Sequence, residues 1–200
     1  MIKLNIGCGG NPLKDYINID QDSLEQIRKR YPEKKFEDDL ILKNHDIFNL
    51  PFDDSTVDEI KSDSLIEHLN FIQEKKFFNE IKRVIKVGGR LEISTPDFEM
   101  TVKQWLAAKD DWKDFFRDDD EAIKQNHWFG NYNNKPNNRW GYLLATIFGS
   151  QNGEGQFHRN CYTEKKLIAI CKKIGIKIIN IERFQWKEDR DHMLKMIATK

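Results

Sequence analysis

A glycine turn stands close to the start of the chain and limits what can be built around it. Lys3 to Ile6 is a short β-type run that meets Gly7-Cys8-Gly9-Gly10. A second run, Tyr16 to Asp20, alternates with period two, as a strand does. The six residues from Asn11 to Tyr16 are all that lead from the glycines into that second run, so no long helix fits between them. Glycines after a strand either let the backbone approach a ligand closely or simply make a tight strand exit.

The rest of the chain alternates strands with helices. Leu24, Ile27 and Tyr31 suit a helix face that ends near Pro32, and Ile41 to Phe48 is expected to hold a third strand. Val57 to Ser62 reads as a fourth. Phe77, Phe78, Ile81, Val84 and Ile85 recur at helical spacing, with Gly88-Gly89 as the expected stop. Arg90 to Thr95 is a fifth strand, closed by Pro96. Near the end, Thr163 can cap a helix whose apolar face is Leu167, Ile168, Ile170, Cys171 and Ile174, with Gly175 ending it. Lys177 to Phe184 and Met193 to Thr199 then read as two strands joined by the charged loop Lys187 to Asp191. Such alternation implies an α/β fold of Rossmann-like, doubly wound type: a mostly parallel sheet with helices on both faces and an antiparallel edge strand.

Aromatic residues interrupt this regularity. Thirteen of the 23 lie between Phe98 and Tyr162, including four of the five tryptophans. The expected organisation is therefore a ligand-binding α/β domain made of residues 1–97 and 163–200, with 98–162 inserted as a mainly helical lid or substrate-binding subdomain. Trp105, Trp112, Phe116, Trp128, Phe129, Tyr132, Trp140 and Tyr142 can build a pocket, a subdomain core or a dimer surface. The 33 basic residues balance the 33 acidic ones, which gives no global field for nucleic acid or an anionic membrane. Three cysteines make no disulfide framework, and a reducing compartment is the simplest reading. No stretch approaches the roughly 18–20 apolar residues of a membrane span. The start lacks the basic and apolar regions of a signal peptide. A cytoplasmic location is expected.

The glycine turn is not a dinucleotide fingerprint. The third glycine would fall at Pro12, and the acidic residue expected about 20 residues on is instead Asp20, 13 after Gly7. Without a following helix there is no helix N-terminus to hold a pyrophosphate. A ligand free of phosphate, such as S-adenosylmethionine (SAM), fits better.

Four ordered blocks carry a resemblance: Leu4 to Gly10; Ile17 to Asp20; Asn44 to Leu69, with its Leu-Ile-Glu-His-Leu end; and Phe78 to Pro96. In this order and spacing the chain resembles the class I SAM-dependent methyltransferases, and most of all a short group that begins Leu-Asn-Ile-Gly-Cys-Gly, related to the type 11 methyltransferase domains. The resemblance implies SAM as cofactor and S-adenosylhomocysteine as product. It implies that Gly7, Cys8 and Gly9 pack their backbone against the cofactor's amino acid and ribose. Asp20 would accept from the ribose hydroxyls, Asp46 would meet the adenine amino group, and the Ile47 backbone the ring edge. Asp63 would lie near the methionine end. Acids also begin loops and cap helices, which is the ordinary alternative for Asp20 and Asp46.

Transfer of a methyl group from a sulfonium requires alignment and water exclusion more than a fixed triad. His158, in Gly155-Gln156-Phe157-His158-Arg159, and His68 are the candidate bases. Each has a structural alternative, for His68 a hydrogen-bonding role at a helix start. Tyr162 is expected to line the same cleft as His158. Some quinone O-methyltransferases hold a metal through an acid followed by Glu-His; here Ser64 stands in place of the first acid, so no metal is expected. The expected acceptor is an oxygen or nitrogen of a small molecule or a sugar or glycan precursor, since relatives of similar sequence often sit among glycan-building functions. No Asn/Asp-Pro-Pro-aromatic motif points to a nucleic-acid substrate. The alternatives are a SAM-binding scaffold without catalysis and an aminopropyl-type transferase on the same fold.

Overall fold

A computed structural model describes residues 1–37, 40–107, 146–149, 151, 155–185 and 192–200. The elements, in chain order, are β1 (Lys3–Ile6), β2 (Ile17–Ile19), α1 (Leu24–Arg30), β3 (Ile41–Lys43), β4 (Val57–Asp63), a 3₁₀ turn (Ile66–His68), α2 (Phe71–Val84), β5 (Ile85–Pro96), α3 (Phe98–Ala107), α4 (Glu164–Ile174), β6 (Lys177–Gln185) and β7 (His192–Thr199). The seven strands form one sheet in the order β3-β2-β1-β4-β5-β7-β6. Pairing is parallel from β3 through β5. β7 runs antiparallel to both β5 and β6, so the hairpin forms the antiparallel edge, and the reversed strand is the one inside it.

The chain crosses from β1 to β2 without a helix, and two asparagines make this possible. Asn5 on β1 and Asn18 on β2 are buried neighbours in register. The Asn5 amide donates to Asn18 Oδ1 (2.8 Å) and to the carbonyl of Asn11 (3.1 Å). Asn18 Oδ1 also accepts from Leu13 N (2.8 Å), while its amide donates to the carbonyls of Leu13 and Tyr16 and, across the sheet, of Ile41. The connection thus finds hydrogen-bond partners in side chains where a crossover helix would have supplied them internally.

Helix ends follow their local chemistry. Ser23 caps α1 and Asn70 caps α2, each in a reciprocal capping box with Gln26 and Gln73. Thr163 caps α4, and Gly175 ends it in the left-handed region at φ 74°. Leu167, Cys171 and Ile174 form the buried face of α4, whereas Ile168 is exposed. They join Phe77, Phe78, Ile81 and Val84 of α2 and the apolar residues of the strands in a single core.

Two boundaries differ from the sequence reading. The stop of α2 is Ile85, not Gly88-Gly89: Ile85 is already extended, and its N–H closes the helix on Ile81. Its side chain is buried in either conformation, so apolar spacing could not distinguish helix from strand there. β3 is only three residues long, and residues 44–50 leave the sheet as loop. The loop Lys187 to Asp191 lies outside the described residues, as do Trp112, Phe116, Trp128, Phe129, Tyr132, Trp140 and Tyr142. Of the aromatic middle, α3 is described, and Phe98 N donates to Tyr162 O (3.0 Å), so residues 98 and 162 stand side by side at the end of β5. Among the described residues, no helix is long and apolar enough to cross a membrane.

Arg83 of α2 fastens the loop after β3. Its guanidinium donates to the carbonyls of Leu50 and Phe52 and to Asp54, and it grips Glu80 through both Nε (2.9 Å) and Nη2 (2.6 Å). Glu80 also accepts from Leu50 N. The Arg83 hydrogen bonds hold the Glu80 carboxyl below its ordinary range. The stability from this lowered value is complete above the unfolded-state carboxyl pKa near 4.5 and is lost as pH falls through the folded value. Glu80→Gln should therefore cost about 1.5–3 kcal/mol at neutral pH, and the difference from wild type should shrink on acidification. Urea denaturation at pH 7 and pH 3.5 measures both.

Candidate functional site

A cleft of about 1100 Å³ opens at the carboxyl ends of β1, β2 and β4. The nine residues given a cofactor or base role from the sequence all line it. One end is the glycine turn. Gly7 N and Cys8 N both bond to Ile19 O (2.8 and 3.3 Å), which folds the turn over the end of β2. Gly7 sits at φ 71°, and an added Cβ would come 2.9 Å from the Leu65 side chain. A Cβ on Gly9 would meet only Tyr31 Oη, at 3.7 Å, so that position leaves open space. Gly10 packs under the Tyr31 ring, and Lys34 Nζ bonds the Gly10 carbonyl (2.8 Å) and Asn11 Oδ1. Tyr31 and Lys34 therefore close the outside of the turn. The sequence reading placed Tyr31 on a helix face, but it is the residue that ends α1.

Asp20 lies just past β2, almost wholly buried. Its Oδ2 accepts from Gly9 N (2.8 Å) and its Oδ1 from Asp22 N (3.0 Å). Each oxygen keeps a lone pair for a further donor. The Cys8 thiol points at the same carboxylate, and burial together with the Asp20 charge raises its pKa to about 12, so it stays a thiol. Asp46 is exposed and accepts from Phe48 N (2.9 Å) in a tight loop, with Ile47 half-buried beside it. Asp63 ends β4 with its surface open to the cleft, and the crowding of the surrounding protein raises its carboxyl pKa above the usual range.

The other end joins two segments distant in sequence. The 3₁₀ turn brings Glu67 and His68 together, and the stretch 155–162 brings His158. The Glu67 carbonyl accepts from Arg159 N (2.8 Å) and Asn160 N (3.0 Å), which docks this stretch onto the turn. Asn160, Lys166 and the Tyr162 hydroxyl all converge on Glu74 of α2. Tyr162 is fully buried in that network and does not line the cleft, contrary to the sequence expectation. An aromatic with a polar tip suits a pocket or a core equally well, and the carboxylate of Glu74 decides in favour of the core.

His68 Nδ1 lies 3.1 Å from Phe157 O, and His158 Nδ1 lies 2.7 Å from Thr146 O. A carbonyl can only accept, so each ring carries its proton on Nδ1 and presents its lone pair on Nε2. The rings meet edge to face at 4.7 Å. Burial keeps both imidazoles neutral: the pKa of His68 falls to about 4, and that of His158 is also lowered. Glu67 is buried, with Thr95 Oγ1 donating to it at 3.1 Å, and burial raises its carboxyl pKa to about 8. The sequence reading passed over Glu67. Its signal was an acid between two apolar residues that the core requires, Ile66 and Leu69.

A family model described as a methyltransferase domain matches residues 4–93. That match takes in somewhat less than half of the chain, from β1 into β5. An uncharacterized protein of Methanocaldococcus jannaschii is 31% identical over 105 residues, which is 50% of this chain and 43% of that protein, so the chain spans less than half the length of that relative. A SAM-dependent methyltransferase from Methanosarcina mazei superposes with a TM-score of 0.60 at 16% identity, over 99% of this chain and 91% of that one. The 1,6-didemethyltoxoflavin-N1-methyltransferase of Burkholderia thailandensis, solved with 1,6-didemethyltoxoflavin and S-adenosylhomocysteine, superposes at 0.58 with 12% identity, over 100% of this chain and 70% of its own. At these identities the two structures share the fold.

The resemblance read from the sequence implies SAM as cofactor, and the residues present fit it. The cleft has the size of a cofactor pocket. Gly9 leaves room at its Cβ position, and the Asp20 oxygens hold lone pairs within a buried edge. Gly7→Ala would force a side chain into the left-handed region and against Leu65. The expected loss is about 1–2 kcal/mol of stability, with weaker S-adenosylhomocysteine binding. Thermal melts with and without that product measure both effects.

Proposed function

We propose that the protein transfers a methyl group from SAM to an oxygen or nitrogen of a small molecule or a sugar or glycan precursor. The observation that carries this reading is the polarity of the cleft. One end is bare main chain flanked by Asp20, Asp46 and Asp63, and the other presents two neutral imidazoles with free Nε2 lone pairs. The first end suits a nucleoside and an amino acid; the second suits a proton-bearing acceptor.

SAM supplies an electrophilic methyl group on a sulfonium that leaves readily. The glycine turn would hold the amino acid and ribose through the main chain of Gly7, Cys8 and Gly9. Asp20 would take the ribose hydroxyls on its remaining lone pairs, Asp46 and the Ile47 backbone would meet the adenine, and Asp63 the methionine end. His158 would accept the acceptor's proton on Nε2, with its orientation fixed by Thr146 O. His68, held by Phe157 O, would support that ring edge to face. Residues 98–162 would form the lid or substrate side of this arrangement around the domain made of 1–97 and 163–200. A small-molecule acceptor, as in the Burkholderia thailandensis relative, agrees with the chain's lack of net charge.

Asp20→Ala should weaken S-adenosylhomocysteine binding at least about tenfold by titration calorimetry, the cost of roughly 1.4 kcal/mol or more in lost charged hydrogen bonds. Its far-ultraviolet circular dichroism should match wild type. Unchanged affinity would remove the ribose role. His158→Ala should keep cofactor affinity while turnover falls about 10²-fold or more, read as a 14-dalton mass gain (one methylene) on candidate acceptors.

A further inference from the structure

We propose that Glu67, His68 and His158 bind a divalent transition-metal ion at the acceptor end of the cleft. One ligand atom from each residue lies within 4.8 Å of the other two, close enough for side-chain adjustment to bring all three around one ion. Two imidazole nitrogens and one carboxylate are a three-donor set suited to zinc or iron(II), and such a set leaves coordination positions open.

Three features of the surroundings support this assignment. Both imidazoles are locked by a main-chain carbonyl on Nδ1, the arrangement that fixes a metal-binding histidine with its Nε2 lone pair outward. Glu67 is a buried carboxylate that forms no ion pair among the described residues and has Thr95 Oγ1 as its side-chain partner. A buried carboxylate is costly without a cation or a proton. Finally, the two segments that supply the donors are fastened to each other through the Glu67 carbonyl, so their main chains are held side by side without an ion.

The ligand set differs from the acid-plus-Glu-His pattern that Ser64 interrupts. The third donor comes from a loop some 90 positions later, which linear spacing could not show. The inference deepens the methyl-transfer reading and rests on it for its use: an acceptor oxygen would occupy an open position on the ion. Coordination would lower that oxygen's pKa, and its proton would pass to solvent. With Nε2 of His158 on the ion, the ion takes over the proton-removing role that His158 has without it.

The test uses tag-free, full-length chain stripped with chelator and titrated with Zn²⁺ by calorimetry and with Co²⁺ by visible absorption. Wild type should bind one equivalent, and Co²⁺ should give d–d bands of a nitrogen and oxygen site. Glu67→Gln and His158→Gln, both near-isosteric and checked by circular dichroism, should each weaken binding about tenfold or more. Cys161→Ser, which removes the exposed free thiol, should leave binding unchanged. Absence of binding in wild type, or binding in either ligand variant as tight as in wild type, would overturn the site. S-adenosylhomocysteine titration of the same metal-free wild type reads the methyltransferase assignment separately: cofactor binding without metal binding defeats only this inference.

Discussion

The hydrogen bond between Asn5 and Asn18 is the interaction on which the rest depends. It joins β1 to β2 inside the sheet and satisfies the main chain of a connection that contains no helix. Because that connection is short, the glycine turn is free to fold back over the end of β2 and meet Asp20. A crossover helix at this point would place its N-terminus where phosphate binds well. The turn offers main-chain amides and a carboxylate instead. The missing helix therefore leaves no helix N-terminus for a pyrophosphate at this point of the sheet.

The cofactor end was legible in the sequence because it is local. β1, the glycine turn, β2 and Asp20 fall within the first 20 residues, so spacing alone set their relation. The parallel sheet and the caps at Thr163 and Asn70 likewise follow from short-range patterns, although only Thr163 was singled out beforehand. The boundaries that differed were those where one local signal served two structures. Ile85 is apolar and buried whether it ends a helix or begins a strand, and β3 has too few paired residues to mark where the loop begins.

The acceptor end was less legible because it is assembled from segments about 90 positions apart. His68 and His158 were each recognisable, but their edge-to-face contact was not, and neither was the carboxylate of Glu67 beneath them. Tyr162 shows the same limit from the other side. Its neighbours in sequence suggested a cleft, while its partners are Ile66 O in the core and the half-buried Glu74 of α2.

This division has a mechanical consequence. The glycine turn and Asp20 are carried by β1 and β2, whose residues are nearly all buried. The acceptor end hangs from the hydrogen bonds that Arg159, Asn160 and Tyr162 make to the 3₁₀ turn and to α2. Glu74 gathers Asn160 and Tyr162, with Lys166 as its counter-charge and stacked 4.1 Å over the Tyr162 ring. A disturbance at Glu74 would displace His158 without touching the glycine turn. The glycine turn and the loop that carries His158 are thus attached to different parts of the fold, and substitutions that alter one can leave the other intact.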